Sequence, residues 1–167
     1  SWYRRQRQMC IRDSFNSSLS TYISSSTISK VNRNEKVIVD DLFIDIFKKS
    51  KIIYEKTNGY FDPSIGLLLD YAGFGPTKNQ NIVSEDSLAT ILKTVGFDKI
   101  DIIDGQVRKL NNKSKLDFNA IAKGYAVDVI SEFLNSKSIE DYMVDIGGEI
   151  RTSVSYTHLR AHETNQD

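Results

Sequence analysis

The order of apolar and polar positions divides the chain into helix-like and strand-like stretches. After Val37-Ile38-Val39, Asp40 and Asp41 make a helix start. Leu42, Ile46 and Ile53 then share one face, with Phe43, Phe47 and Tyr54 beside them. Thr57-Asn58-Gly59 ends this helix, because glycine takes the left-handed conformation past a helix end at little cost. Asp62 and Pro63 read as N-cap and first position of a short helix over residues 64–71, since proline there lacks a donor that would be unpaired anyway. Gly73-Phe74-Gly75-Pro76 reads as a turn. Ser84 opens a further helix, with Leu88, Ile91, Leu92 and Val95 inward and Gly96 just past its end.

Residues 97–103 alternate in polarity, and Asp104-Gly105 is a hairpin turn signal. Residues 106–110 return, 111–114 turn again, and 115–118 complete a small antiparallel sheet. Asn119 is placed to cap a helix running from residue 120 towards 134, with Ala122, Ala126, Val129 and Phe133 as its buried stripe. Residues 141–146 predict one more strand, and Gly147-Gly148 permits close approach of a ligand or a neighbouring strand. Helices mixed with antiparallel strands predict an α+β fold.

Composition narrows the picture. With 167 residues, 40% of them hydrophobic, the chain suits one domain. A formal net charge of zero offers no electrostatic case for nucleic acid or an anionic membrane. No apolar run reaches the length that spans a bilayer, and no signal-peptide pattern is visible. The ends differ from the middle. Trp2, Cys10, His158 and His162 all lie there, and Arg4, Arg5, Arg7 and Arg12 crowd the start. Residues 1–14 and 153–167 are therefore expected to be non-native flanks, leaving 15–152 as a partial domain. His158 and His162 have the spacing of a helical metal pair, but their place in a flank argues against a site. Residues 15–29 are rich in serine and fit either a linker or an ordered segment with Leu19, Tyr22, Ile23 and Ile28 as apolar points.

Most of the chemistry is concentrated between Leu116 and Asp128. A helix start presents unpaired N–H groups and partial positive charge, which suits phosphate. Lys123 adds a full charge one turn in, and Asp117 on the other side of the corner could accept hydrogen bonds from a ribose or a base. Ala120 and Gly124 are small enough for close approach. The bland alternative is a capped surface helix with a solvated lysine.

The residues of this corner, Asp117-x-x-Ala120-Ile121-Ala122-Lys123-Gly124-Tyr125-Ala126-x-Asp128, resemble the signature of the ApbE family, the FAD:protein FMN transferases. Three further stretches resemble that family in the same order. They are Leu19-Ser20-Thr21-Tyr22 with Ser26-Thr27-Ile28-Ser29-Lys30-Val31-Asn32, Gly59-Tyr60-Phe61-Asp62-Pro63-Ser64-Ile65-Gly66 with Gly73-Phe74-Gly75, and Asp145-Ile146-Gly147-Gly148-Glu149-Ile150. Tyr71 and Ser64 stand where the family often has Trp and Thr.

The resemblance implies an ApbE-like partial domain. It also implies an enzyme that, with Mg²⁺, passes the FMN half of FAD to a Thr or Ser hydroxyl of an acceptor flavoprotein and releases AMP. By the same resemblance Tyr22, Tyr60, Phe61, Asp62, Asp117 and Lys123 would contact FAD, and the backbone oxygen of Ala120 would be one metal ligand. The remaining metal ligands, an Asp and a Thr, are expected beyond the segment ending at Ile150. This chain alone is therefore expected not to transfer FMN. Two alternatives stay open: a Mg²⁺-dependent FAD pyrophosphatase with water as acceptor, and a flavin-binding module without catalysis. Family members commonly act on the extracytoplasmic side, so that setting is the expectation here.

Overall fold

Aspartates, more than long apolar runs, decide where several of the elements begin. The computed structural model describes residues 13–76 and 85–154. Its helices are α1 (residues 13–19), α2 (Thr27–Asn32), α3 (Asp41–Lys56), α4 (Gly66–Tyr71), α5 (Glu85–Leu92) and α6 (Asn119–Ser136). Its strands are β1 (Ile100–Ile103), β2 (Gln106–Lys109), β3 (Tyr142–Ile146) and β4 (Glu149–Ser153). The chain divides into two units, Ser1–Ala122 and Lys123–Asp167. Cys10, His158, His162 and the expected helix start at Ser84 lie outside the described residues.

In the first unit Asp40 caps α3 as expected. Its carboxylate accepts the Phe43 N–H at 2.9 Å, satisfying one of the donors a helix start leaves unpaired. The same carboxylate accepts from Ser18 Oγ at 2.8 Å and Thr27 Oγ1 at 3.0 Å, which fixes α1 and α2 beside it. The serine-rich stretch is thus folded. Ser18 and Ser26 are buried, and Ser26 caps α2 by accepting from the Ser29 N–H. α3 buries Phe43, Ile46 and Phe47. Phe43 meets Phe118 edge-on at 5.6 Å, and Phe47 meets Phe97 at 4.7 Å. With Leu19, Ile28, Val31, Ile100 and Leu116 these rings form the core.

Several sequence expectations are corrected. Residues 97–99 form a 3₁₀ turn (Phe97–Lys99) instead of strand. Gly96 at φ 139° breaks the extended path, and Phe97 turns its ring into the core. β1 and β2 pair through the Asp104-Gly105 turn, both residues at positive φ, in the register Ile103↔Gln106. Residues 115–118 do not join them, so this sheet has two strands and not three. Lys115 makes only an isolated parallel bridge to Ile65, and the backbone groups of Leu116 are taken by a side chain. α4 starts at Gly66, because Asp62 Oδ1 accepts from Ser64 N–H at 2.7 Å and shapes a turn ahead of the helix. Leu92, expected inward, is 50% exposed.

In the second unit β3 and β4 form a hairpin closed by Gly147 and Gly148, at φ 60° and 94°. The pair therefore serves a turn that demands positive φ. On α6 the most buried residues are Tyr125, Val127 and Ser131, while Ala122, Ala126, Val129 and Phe133 are only half-buried. The helix carries apolar residues on several faces, so a single stripe misjudged it.

Candidate flavin site

Alternation sets the geometry of residues 116–118. Leu116 and Phe118 point into the core and are almost fully buried, which turns Asp117 to the other side. The backbone of this segment is held from both flanks. Lys115 C=O accepts from Gly66 N–H at 3.0 Å, and Asp117 N–H donates to Pro63 C=O at 2.8 Å. Gly66 is required there: a Cβ on it would stand 2.8 Å from the Lys115 carbonyl oxygen. On the other flank Asn32 Nδ2 donates to Leu116 C=O at 2.8 Å, and Leu116 N–H donates to Asn32 Oδ1 at 2.7 Å.

Asp117 keeps 9% of its surface. Its Oδ1 accepts the Asn119 N–H at 2.7 Å and its Oδ2 accepts from Asn119 Nδ2 at 3.0 Å. Asp117 therefore does the capping that the sequence assigned to Asn119, and Asn119 lies inside the helix. Burial raises the Asp117 pKa above the usual carboxylate value; the two Asn119 hydrogen bonds oppose this, and the charge of Asp70 adds to it. Phe118 C=O accepts from both Ile121 and Ala122 N–H. Ala122 makes the first regular bond of α6, and of the three N–H groups ahead of it in the helix those of Asn119 and Ile121 are bonded within the corner, so the helix start is not the open phosphate cradle that the sequence suggested.

Asp117 lines a cavity of about 150 Å³. Thr21, Asn32, Arg33, Asp70 and Lys115 share its wall. Lys115 Nζ pairs with Asp70 at 2.6 Å, and Arg33 Nε pairs with Glu35 at 2.7 Å. The Thr21 hydroxyl is buried and has no partner among the described residues. Except for Asp117, sequence reasoning gave none of these residues a role. Asn32 stood inside a family-like stretch, but nothing local tied it to Leu116, 84 positions on.

In the first unit the other expected site residues are not among those lining this cavity. Tyr22 is 66% exposed, and its hydroxyl is 3.5 Å from Phe74 C=O, a long contact. Tyr60 is 96% exposed. Phe61 is half-buried, with its N–H on Thr57 Oγ1. Asp62 is engaged structurally, accepting from Ser64 N–H and from Phe97 N–H at 3.3 Å. Ala120 is exposed in the first turn of α6. In the second unit Lys123 is exposed, and its Nζ lies 3.6 Å from where a Cβ would stand on Gly147. That unit therefore brings together two of the motifs, the lysine and the glycine turn.

The residues were tested against the implied Mg²⁺. Magnesium demands near-octahedral oxygen donors. Among the described residues no three His, Cys, Asp or Glu side chains come together. A carbonyl in the first turn of a helix also points along the axis, away from the helix start. The described residues do not make a magnesium site by themselves.

Comparison with known proteins accords with the corner. A sequence model of the ApbE family matches residues 5–158. The FAD:protein FMN transferase of Vibrio cholerae serotype O1 is 32% identical over 140 residues, 81% of this chain and 42% of that protein. That of Haemophilus influenzae is 31% identical over 145 residues, with the same coverage. The solved flavin transferase ApbE from Vibrio cholerae superposes with a TM-score of 0.84 at 29% identity, over 92% of this chain and 51% of that one. The apo flavinyl transferase ApbE of Pseudomonas stutzeri gives 0.83 at 26% identity, over 89% and 50%. The chain spans less than half the length of the curated relatives it matches. The family model covers most of the sequence and the α+β fold agrees with the solved members, so this chain belongs to the ApbE family.

Proposed function

We propose that this chain is the flavin-binding part of an FAD:protein FMN transferase. In the reaction a Thr or Ser hydroxyl of an acceptor flavoprotein attacks the phosphorus of the FMN half. The new O–P bond forms as the bond to the AMP phosphate breaks, AMP leaves, and the hydroxyl proton is lost to a base. The observation that carries this reading is the buried Asp117 carboxylate. It is fixed at the head of α6, lines a cavity whose wall also carries Thr21, Asn32, Arg33, Asp70 and Lys115, and is disfavoured in its charged form by burial. Hydrogen-bond donors from a bound ribose or base would relieve that cost. Lys123 would pair with the diphosphate as a point charge. The exposed Tyr22 and Tyr60 and the half-buried Phe61 would offer aromatic surface to the ring system.

Magnesium, if bound, would supply neutralisation of phosphate charge, although the described residues do not hold it by themselves; in this reading the reaction takes place on the extracytoplasmic side. The 167-residue chain alone then binds FAD without transferring FMN. The test incubates this chain, and separately a full-length gene product containing it, with FAD, Mg²⁺ and an acceptor flavoprotein. In-gel flavin fluorescence is the readout. A labelled acceptor band is expected only with the full-length protein. Release of FMN and AMP without a labelled band would point to hydrolysis instead. In the full-length protein Lys123→Ala should weaken FAD binding roughly tenfold, the worth of one charge-assisted contact. Unchanged affinity would remove the lysine from the site.

A further inference from the structure

We infer that Asn32 is a positioning residue, whose carboxamide sets the place of Asp117 by clamping the residue before it. The inference rests on the FAD-binding reading above. Leu116 is fully buried, and so its N–H and C=O need partners. A neighbouring strand would normally supply them, but β2 does not reach it. Asn32 presents one acceptor and one donor side by side and satisfies both groups, at 2.7 and 2.8 Å. A primary amide is the side chain suited to this, since its Oδ1 and Nδ2 reproduce the paired acceptor and donor of a strand edge.

The clamp bears on the ligand-facing carboxylate from a defined direction. Asp117 N–H is tied to Pro63 C=O and Lys115 C=O to Gly66 N–H. Asn32 is the tie on the opposite flank, and it also lines the cavity that Asp117 faces. Asn32 itself stands at the last position of α2, which is anchored at its first turn by Ser26. The family-like stretch around residues 26–32 thus acts as a holder for the aspartate.

Asn32→Asp keeps the size and the acceptor but loses the donor. Asn32→Leu keeps the approximate shape and loses both. Each is made in the full chain, alone and with Asp117→Asn, and titrated with FAD well below its melting temperature. A residue acting through Asp117 gives a coupled cycle. Asn32→Asp should weaken FAD binding about tenfold in the parent and less than twofold beside Asp117→Asn. Equal losses in both backgrounds, or none in the parent, would overturn the inference. A purely structural role would lower the melting temperature and leave affinity unchanged. Should the Asp117→Asn change itself leave FAD binding untouched, the ligand reading is at fault. Amide hydrogen exchange then decides the clamp. Exchange at Leu116 and Asp117 should speed up at least tenfold in Asn32→Leu, and in Asn32→Asp if the leucine variant does not fold. Unchanged protection would sink the clamp.

Discussion

At the scale of single residues, this protein places polar groups where burial makes each of them costly. Asp117 is held largely out of water, and among the described residues Asn119 alone is bonded to its carboxylate. The Thr21 hydroxyl beside the same cavity has no partner among the described residues. Such groups are unfavourable in the empty protein and favourable contacts for a ligand. Gly124 gives a sharp test of where a ligand lies. A Cβ built on it meets nothing within 4 Å among the described residues, and it sits within α6. Gly124→Ala should therefore stabilise the fold by about 1 kcal/mol in urea unfolding, from helix propensity alone. If the open face receives FAD, the same change lowers affinity severalfold. A more stable variant with unaltered binding would place the ligand elsewhere.

At the scale of elements, α3 and α6 begin where a carboxylate accepts a backbone N–H. Asp40 caps α3 and also holds Ser18 and Thr27, so one side chain joins three helices. Asp40→Ala should cost about 2 kcal/mol, one cap plus the buried Ser18 hydroxyl left without its acceptor. Asp40→Asn retains an acceptor and should cost less than half of that. Equal losses for both would mean that charge, and not capping geometry, holds the three helices together. The same element scale shows what could be read locally. The Asp40 start, the Asp104-Gly105 hairpin and the Gly59 stop were all legible, because each is decided by neighbours in sequence. The third strand at 115–118 was misread. Its alternation is real, but it reflects Leu116 and Phe118 entering the core, and its backbone partners come from Asn32, Pro63 and Gly66.

For the molecule as a whole, Lys109 links stability to pH. Its Nζ donates to Val31 C=O and Ser114 C=O, both at 3.0 Å. Burial, helped by the charge of Lys115, lowers its pKa to about 8. The folded state thus releases this proton more readily than the unfolded chain does. Below pH 8 the protonated amine opposes folding, and the penalty is relieved as pH rises from about 8 towards the ordinary lysine value. The swing should be roughly 1 kcal/mol once solvent screening of the partly exposed side chain is allowed for. Urea midpoints of the parent, compared with Lys109→Met over pH 7 to 10, check this. The stability difference should move in the parent's favour with rising pH. A constant offset would show that the lysine does not titrate there.

The sequence by itself determined the family, the α+β class, the bounds of α3, the approximate span of α6 and the aspartate and lysine proposed to meet FAD. These depend on residue types at short spacing, where local hydrogen bonding and periodicity decide the outcome. Only the tertiary structure decided that Asp117 caps α6, that the opening N–H groups are largely taken, and that Asn32 stands in for a missing strand. Those facts depend on groups up to 84 residues apart meeting across a core, and no local pattern encodes which buried backbone group a distant side chain will satisfy.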